Sequence, residues 1–358
     1  MKRIFSLLLI TSLLLAGCST KKEILDDINL LTLVGFDHSD EKTRGTVVVP
    51  QYQPDGTVQN EYFSAVGEIG YDIGQKLTLQ AQRPLVNGKL EIVLFGTEFA
   101  ERGLIETNDI FRRDPSVSAN MKLAVYDGNV HDFILDHRIP NQDLGMALTR
   151  LIEQNIKQET FPRTNIHLFF RDYFTEGKDP FLPLLGTQDG KVYLKGVSLF
   201  KKGKMVSKLP ASDLHMFTLL HSGFESGSFV IPIKELNAEV SLGHINAEPE
   251  IKIKGDVNSP QITYIIQPKG LINEYSGNIK GIEKQVKLIE KSVDKVLEKK
   301  SETMIKTLQQ QGLDPLGIGK SANAHYRNWD EKKWNEIYPE LDIKVKFKTN
   351  ILESGVIR

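Results

Sequence analysis

Lys89-Leu90-Glu91-Ile92-Val93-Leu94-Phe95, followed at once by Thr97 to Arg102 and then Gly103, decides the fold class. The apolar run has strand length, and its β-branched and aromatic residues predict a buried strand. Thr97 to Arg102 reads as a helix stopped by Gly103, the residue that ends helices at least steric cost. Downstream, Leu104 to Arg113 predicts another helix. Met121 to Tyr126 predicts a strand closed by Asp127-Gly128. Gln142 to Gln158 predicts a helix whose Leu144, Leu148, Leu151, Ile152 and Ile156 form an apolar stripe. Upstream, Asn29 to Phe36, a turn at Asp37 to Asp40 and the returning run Thr46 to Tyr52 make a hairpin, with a helix at Glu68 to Gln80. Asp37, Asp40 and Glu41 do not fit EF-hand spacing, so this turn reads as solvated. Strands alternating with helices imply a sheet covered by helices.

From Asp179-Pro180 through Asp189-Gly190 the periodicity fails, which places a domain boundary at 190. Beyond it, strands are expected at Val192 to Phe200 and about Met205 to Lys208, with a helix at Ser212 to His221. Four more strand-like segments follow: Ser228 to Ile233, Ala238 to Leu242, Glu250 to Lys254 and Ile262 to Gln267. The longest helical signal is Leu271 to Gln311. Its apolar residues, from Tyr275 and Ile279 to Val293 and Val296, step by four and three. Glu290 with Asp294 and Lys291 with Lys295 are like-charge pairs one turn apart, so its outer face reads as merely solvated. Packing on the chain's own sheet is expected over a coiled coil, because the heptad breaks at Lys300. Gly312 to Pro315 stops this helix. Trp329 to Tyr338 reads as a short helix and Leu341 to Thr349 as an alternating strand.

The N-terminus sets the compartment. Met1-Lys2-Arg3 precedes an apolar run from Ile4 to Gly17, shorter than the ~18–20 residues a membrane span needs. It therefore reads as a signal peptide. The run ends Leu15-Ala16-Gly17-Cys18, which resembles the bacterial lipobox: the thiol is alkylated with diacylglycerol and the chain is cut before it. Cys18 is the only cysteine, so intramolecular disulfides and multi-cysteine metal centres are excluded. A plain secretory signal with a chance cysteine is the competing reading. Acyl chains at ~0.8 kcal/mol per buried methylene would hold the body at a membrane.

Lys plus Arg is 45 against 46 for Asp plus Glu, a balance that supplies no overall basic field for nucleic acid. Gly317-Ile318-Gly319-Lys320-Ser321-Ala322 imitates both a dinucleotide fingerprint and the end of a P-loop. The P-loop form fails because Asp314 stands where its first glycine belongs, and both motifs need a strand before them where a helix is expected. His131 with His137 and His215 with His221 are each six residues apart, on different faces of a helix, which disfavours joint metal ligation. Gly223 to Gly227 misses the nucleophile elbow by one residue. No catalytic, cofactor-binding or metal residue is assigned, and the expected attached group is the lipid on Cys18.

The C-terminal order is specific. Gly312-Leu313-Asp314-Pro315-Leu316-Gly317, then Trp329, Trp334 and Tyr338, then an alternating strand and Ile351 to Gly355, resembles the Ger(x)C family, the lipoprotein C subunits of spore nutrient-germinant receptors. Val192 to Pro210, Phe95 to Leu104 with Arg112-Arg113-Asp114, and Glu23-Ile24 leading to Gly35-Phe36-Asp37 are similar to the family in the same order. The family often carries a tryptophan and an acidic residue after the lipidated cysteine; here Ser19 and Thr20 stand there.

The resemblance implies an α+β fold of three domains, each a mostly antiparallel or mixed sheet packed with helices. The expected plan is a leader at 1–17, a tether at 18–27, and domains at 28–190, 191–265 and 266–358. It also implies a non-catalytic subunit required for response to small-molecule germinants. Its partners would be the integral-membrane A and B subunits, its place the outer face of the inner spore membrane. Trp329 and Trp334 are the candidate partner-facing residues, with core packing as the alternative. Two other functions compete: a solute-binding lipoprotein of an uptake system, which needs a hinged two-lobed body with a cleft, and a surface hydrolase, for which no nucleophile constellation is present.

Overall fold

A computed structural model describes residues 27–68, 70–136, 141–277 and 282–354. Leu15, Ala16, Gly17, Cys18, most of the tether and His137 lie outside them. No described helix is long and apolar enough to cross a membrane.

The chain runs β1 (Asn29–Leu30), β2 (Leu33–Ser39), β3 (Lys42–Tyr52), β4 (Val58–Gly67), α1 (Gly70–Thr78), β5 (Leu85–Val86), β6 (Ile92–Gly96), α2 (Thr97–Arg102), α3 (Ile105–Arg113), β7 (Lys122–Tyr126), α4 (Val130–Asp136), α5 (Leu144–Lys157) and α6 (Ile166–Phe174). β8 (Phe181–Gln188), β9 (Lys191–Lys201) and β10 (Lys204–Pro210) complete an eight-stranded mixed sheet of order β10-β9-β8-β7-β6-β2-β3-β4. Every residue of β6 is buried, because the sheet is covered on both faces. Val34, Phe36, Val93, Phe95 and Leu123 point into one core, against Phe99, Phe111, Phe169 and Phe170 of the helices. Leu33, Val48, Ile92, Leu94 and Ala124 point the other way, toward Ile134, Leu144, Leu148 and Ile152. That second core continues without a break into the C-terminal body.

The C-terminal body holds α7 (Leu214–Ser222), β11 (Phe224–Ile233), β12 (Ala238–Ala247), β13 (Pro249–Asp256), β14 (Ser259–Ile266), β15 (Lys269–Tyr275), α8 (Ile282–Gln310), α9 (Ile318–His325), α10 (Glu331–Ile337), β16 (Ile343–Phe347) and β17 (Asn350–Ser354). Its two sheets have orders β11-β12-β15-β17 and β13-β14-β16. The architecture is α+β with mixed sheets, as the sequence implies.

Several expectations need correcting. The segment read as a boundary contains β8, which lies inside the large sheet. Its two prolines hid it, and the ladder to β7 starts only at Leu184, past Pro183. The division at 190 falls in the turn of the β8–β9 hairpin, so the sheet runs across it. The division at 265 is crossed by β14 pairing with β16. Leu271 to Tyr275 belongs to β15, not to the long helix, and Trp329 precedes α10 instead of lying on it. Asp37 is not in a solvated turn. It is buried, and its carboxylate accepts from Val130 N and His131 N, both at 2.8 Å, at the start of α4.

The outer face of α8 is not merely solvated. Glu302, Glu298, Asp294 and Glu290, each four residues apart, accept from the backbone N–H groups of Val345, Phe347, Thr349 and Ile351 at 3.5, 3.0, 2.8 and 2.9 Å. Four helical residues rise ~6 Å and two strand residues ~6.7 Å, so acceptor and donor rows stay in step. The like charges are tolerated because each carboxylate has its own donor on an otherwise unpaired edge. Ile289, Val293, Leu297 and Ile305 are buried, so α8 packs on its own domain as expected.

Candidate functional site

The quoted C-terminal motif forms a buried joint between the two bodies. After α8, Gly312 takes φ +65° and donates to Gln309 O, while Leu313 N donates to Leu308 O at 2.9 Å. This is the Schellman closure of a helix, and it needs a residue that tolerates the left-handed region. The reversed chain buries Leu313 and Asp314. The Asp314 carboxylate then accepts from Gly317 N at 2.8 Å, Ile318 N at 3.0 Å and Gly319 N at 2.6 Å, capping α9. Burial outweighs these hydrogen bonds and pushes its pKa up to about 6.

The other half of the joint comes from the loop before β8. Asp179 N donates to Asp314 O at 2.9 Å, and Asp314 N donates to Asp179 Oδ2 at 2.8 Å. Lys201 of β9 reaches the same Oδ2 at 2.9 Å. Burial raises the Asp179 pKa against the pull of Lys201. Lys320 N donates to Gly177 O at 2.8 Å. Gly177 and Gly319 approach so closely that a side chain on either would meet the other's backbone.

Beside them lies a charged cluster. Arg171 and Lys178 hold Asp172 at 2.7 and 3.2 Å. The Lys178 ammonium also donates to His221 Nε2 at 3.4 Å, which leaves the imidazole proton on Nδ1, a buried atom with no hydrogen-bond partner among the described residues. Burial, and secondarily Lys178, pushes the His221 pKa down to about 3, so the ring is neutral at physiological pH. Desolvation lowers the Lys178 pKa. His221 and Arg171 line an open groove of about 1140 Å³ between α5, α6 and the start of β11. Its walls mix Lys122, Arg163, Glu153 and Glu225.

The Asp314 cradle explains the P-loop imitation at Gly317 to Ala322. The backbone N–H groups that would receive a phosphate are already filled by this chain's own carboxylate. Among the described residues, no group of three or more His, Cys, Asp or Glu is arranged to hold a metal ion. His131 Nδ1 instead contacts Thr46 Oγ1 at 3.0 Å.

Trp334 is a correction to the partner-facing expectation: it is 2% exposed, packed 5.9 Å from the Tyr338 ring and over Gly319. Trp329 is half-buried, 6.3 Å from Trp334. Tyr338 OH donates to Leu313 O at 3.1 Å, so the tryptophan–tyrosine group braces the joint from below. Asp179, Gly177 and Lys178 were missed as joint residues. Asp179-Pro180 signals only a turn, and nothing local to it points 135 residues ahead.

Two family models divide this chain at the β8–β9 hairpin, beside the division expected at 190. The model described as the spore germination protein N-terminal domain matches residues 21–187, and that described as spore germination B3/GerAC like, C-terminal, matches residues 195–355. The chain is 30% identical over 360 residues to the spore germination protein GerQC of Bacillus cereus, covering 99% of both. It is 21% identical over 376 residues to the putative spore germination protein YfkR of Bacillus subtilis (strain 168), covering 98% of this chain and 96% of that one. The crystal structure of the GerBC protein shares the fold, with a TM-score of 0.57 at 14% identity over 89% of this chain and 96% of that one.

Proposed function

Because this chain belongs to the Ger(x)C family of spore germination proteins, we propose that it is the lipid-anchored, non-catalytic C subunit of a nutrient germinant receptor. Cys18 carries the diacylglyceryl group behind Leu15, Ala16 and Gly17. The body stands at the outer face of the inner spore membrane beside integral-membrane A and B subunits and supports the response to small germinants.

The observation that supports this reading is the joint. The residues that carry the family resemblance at 312–317 are spent on closing α8, capping α9 and seating the loop at 177–179. Such a joint suits a subunit that keeps two bodies in fixed relation while partners dock on them. Co-purification from spore membranes tests it: recovery of two integral-membrane polypeptides with the chain is expected, and recovery of the chain alone would count against it. Cys18→Ala should move the body from the membrane to the supernatant on fractionation, and unchanged retention would refute the anchor.

The groove at His221 is what favours a solute-binding lipoprotein instead. The joint and the core that runs through both bodies tie them together, which weighs against closure around a solute. Saturable binding of a free nutrient by the isolated chain would reverse that judgement.

A further inference from the structure

We propose that the open face of the sheet β13-β14-β16 is a seat for an anionic lipid surface. This rests on the anchored reading above, which brings the face within reach of a bilayer.

Side chains alternate across these strands. Ile262, Tyr264 and Ile266 of β14 and Ile343, Val345 and Phe347 of β16 are buried on the inner side. The opposite side carries Lys252 and Lys254 from β13, and Lys344, Lys346 and the following Lys348 from the C-terminal strand, all exposed. Registers Lys252↔Thr263 and Thr263↔Lys344 set two of them in one row across the sheet. Ile265↔Lys346 and Gln261↔Lys254 extend the array above and below. Strands ~4.8 Å apart with ~6.7 Å between same-face residues make this a dense, flat lattice of ammonium groups.

Two acidic groups share the outward side, Glu250 and, at the β13–β14 turn, Asp256. Glu250 pairs with Lys252 at 3.5 Å. Among the described residues, Lys254, Lys344, Lys346 and Lys348 have no carboxylate in ion-pair range. Glu298 and Glu302 share a groove with Lys344 and Lys346 and keep their charge while accepting from strand N–H groups, so they bound the array on that edge. Asp342 and Glu340 lie at the same rim.

The chemistry of the face selects lipid over protein. The outward positions of its three strands hold lysine, a mobile and strongly hydrated point charge, and no arginine or aromatic residue. Protein interfaces are depleted in lysine at their centres and enriched in arginine and aromatic residues. A plane of lysines matches a plane of headgroups, where each contributes about fivefold in binding within a Debye length of the surface.

The test uses the full lipidated chain from a lipoprotein-processing host. It is reconstituted in phosphatidylcholine vesicles with or without about 30 mol% phosphatidylglycerol. Lysines are acylated and read by mass spectrometry. The expected result is a several-fold fall in labelling of Lys252, Lys254, Lys344, Lys346 and Lys348 with anionic vesicles, reversed by high salt, while exposed Lys191, Lys202 and Lys234 stay reactive. The surface variant Lys344→Gln/Lys346→Gln/Lys348→Gln should abolish the protection of Lys252 and Lys254. Equal labelling in both vesicles would overturn the proposal. So would protection seen only in native membranes and absent from protein-free anionic vesicles, which would give the face to an acidic protein. Failure of the chain to float with either vesicle would instead refute the anchor.

Discussion

Asp37 and Asp314 hold matching posts in the two bodies: each is a buried carboxylate set against backbone N–H groups at the start of a helix. Their sequence logic is opposite. Asp37 caps a helix 93 residues away, so the cap itself is a tertiary contact that pins α4 to the β2–β3 hairpin. Asp314 caps the helix just after it, a local act, but is sealed from outside by Asp179, 135 residues earlier. Burial raises both pKa values, with two N–H donors opposing it at Asp37 and three at Asp314. A local cap becomes a long-range fastener when another segment closes over it.

The sharpest way to break the comparison is Asp314→Ala. It strands three N–H groups in a dry site and should cost about 4 kcal/mol or more. Denaturant unfolding should show it, and a loss under about 1 kcal/mol would mean the cradle refills from solvent. Next comes pH. The native Asp314 pKa of about 6 lies above the ordinary 3.8, so the folded state holds the proton more tightly than the unfolded one. Its contribution is therefore greatest below pH 4 and is lost as pH rises toward 6, by roughly 3 kcal/mol. Subtracting the stability–pH curve of Asp314→Asn from that of the wild type should isolate this slope. A flat difference between pH 4 and 6 would contradict it.

Asp37→Ala strands two N–H groups where Asp314→Ala strands three, and should cost about 2 kcal/mol, clearly less than Asp314→Ala. Equal losses would erase the distinction between the two posts. The smallest effect is at the acidic row of α8. Glu298→Ala should cost about 1 kcal/mol by leaving Phe347 N unpaired, while Glu298→Gln keeps an acceptor oxygen and should be near neutral. Thermal melts of the pair would separate hydrogen bonding from charge.

How far the sequence could be read depended on where each residue's partner sits. The helix at 97–102 with Gly103 behind it was legible to the residue, because its start and stop signals are adjacent. So was the end of α8 at Gly312. The strand β8 was not, since Pro180 and Pro183 imitate a loop and only the neighbouring strands hold it in place. β15 reads as part of the long helix because Tyr275 continues the helical stripe. Asp37 looked like a turn residue, and the row from Glu290 to Glu302 like surplus charge, because their donors lie 43 to 94 residues away. At the candidate site, the sequence shows Asp314 as an obstacle to phosphate. That it fills the phosphate's place itself required the fold.

The matched rows on α8 and the last strand have one more effect. Where copies of a chain meet margin to margin, a bare strand invites stacking from one molecule to the next. Here the N–H groups of Val345, Phe347, Thr349 and Ile351 are held by this chain's own helix, so a neighbour's carbonyls meeting this margin find those donors taken.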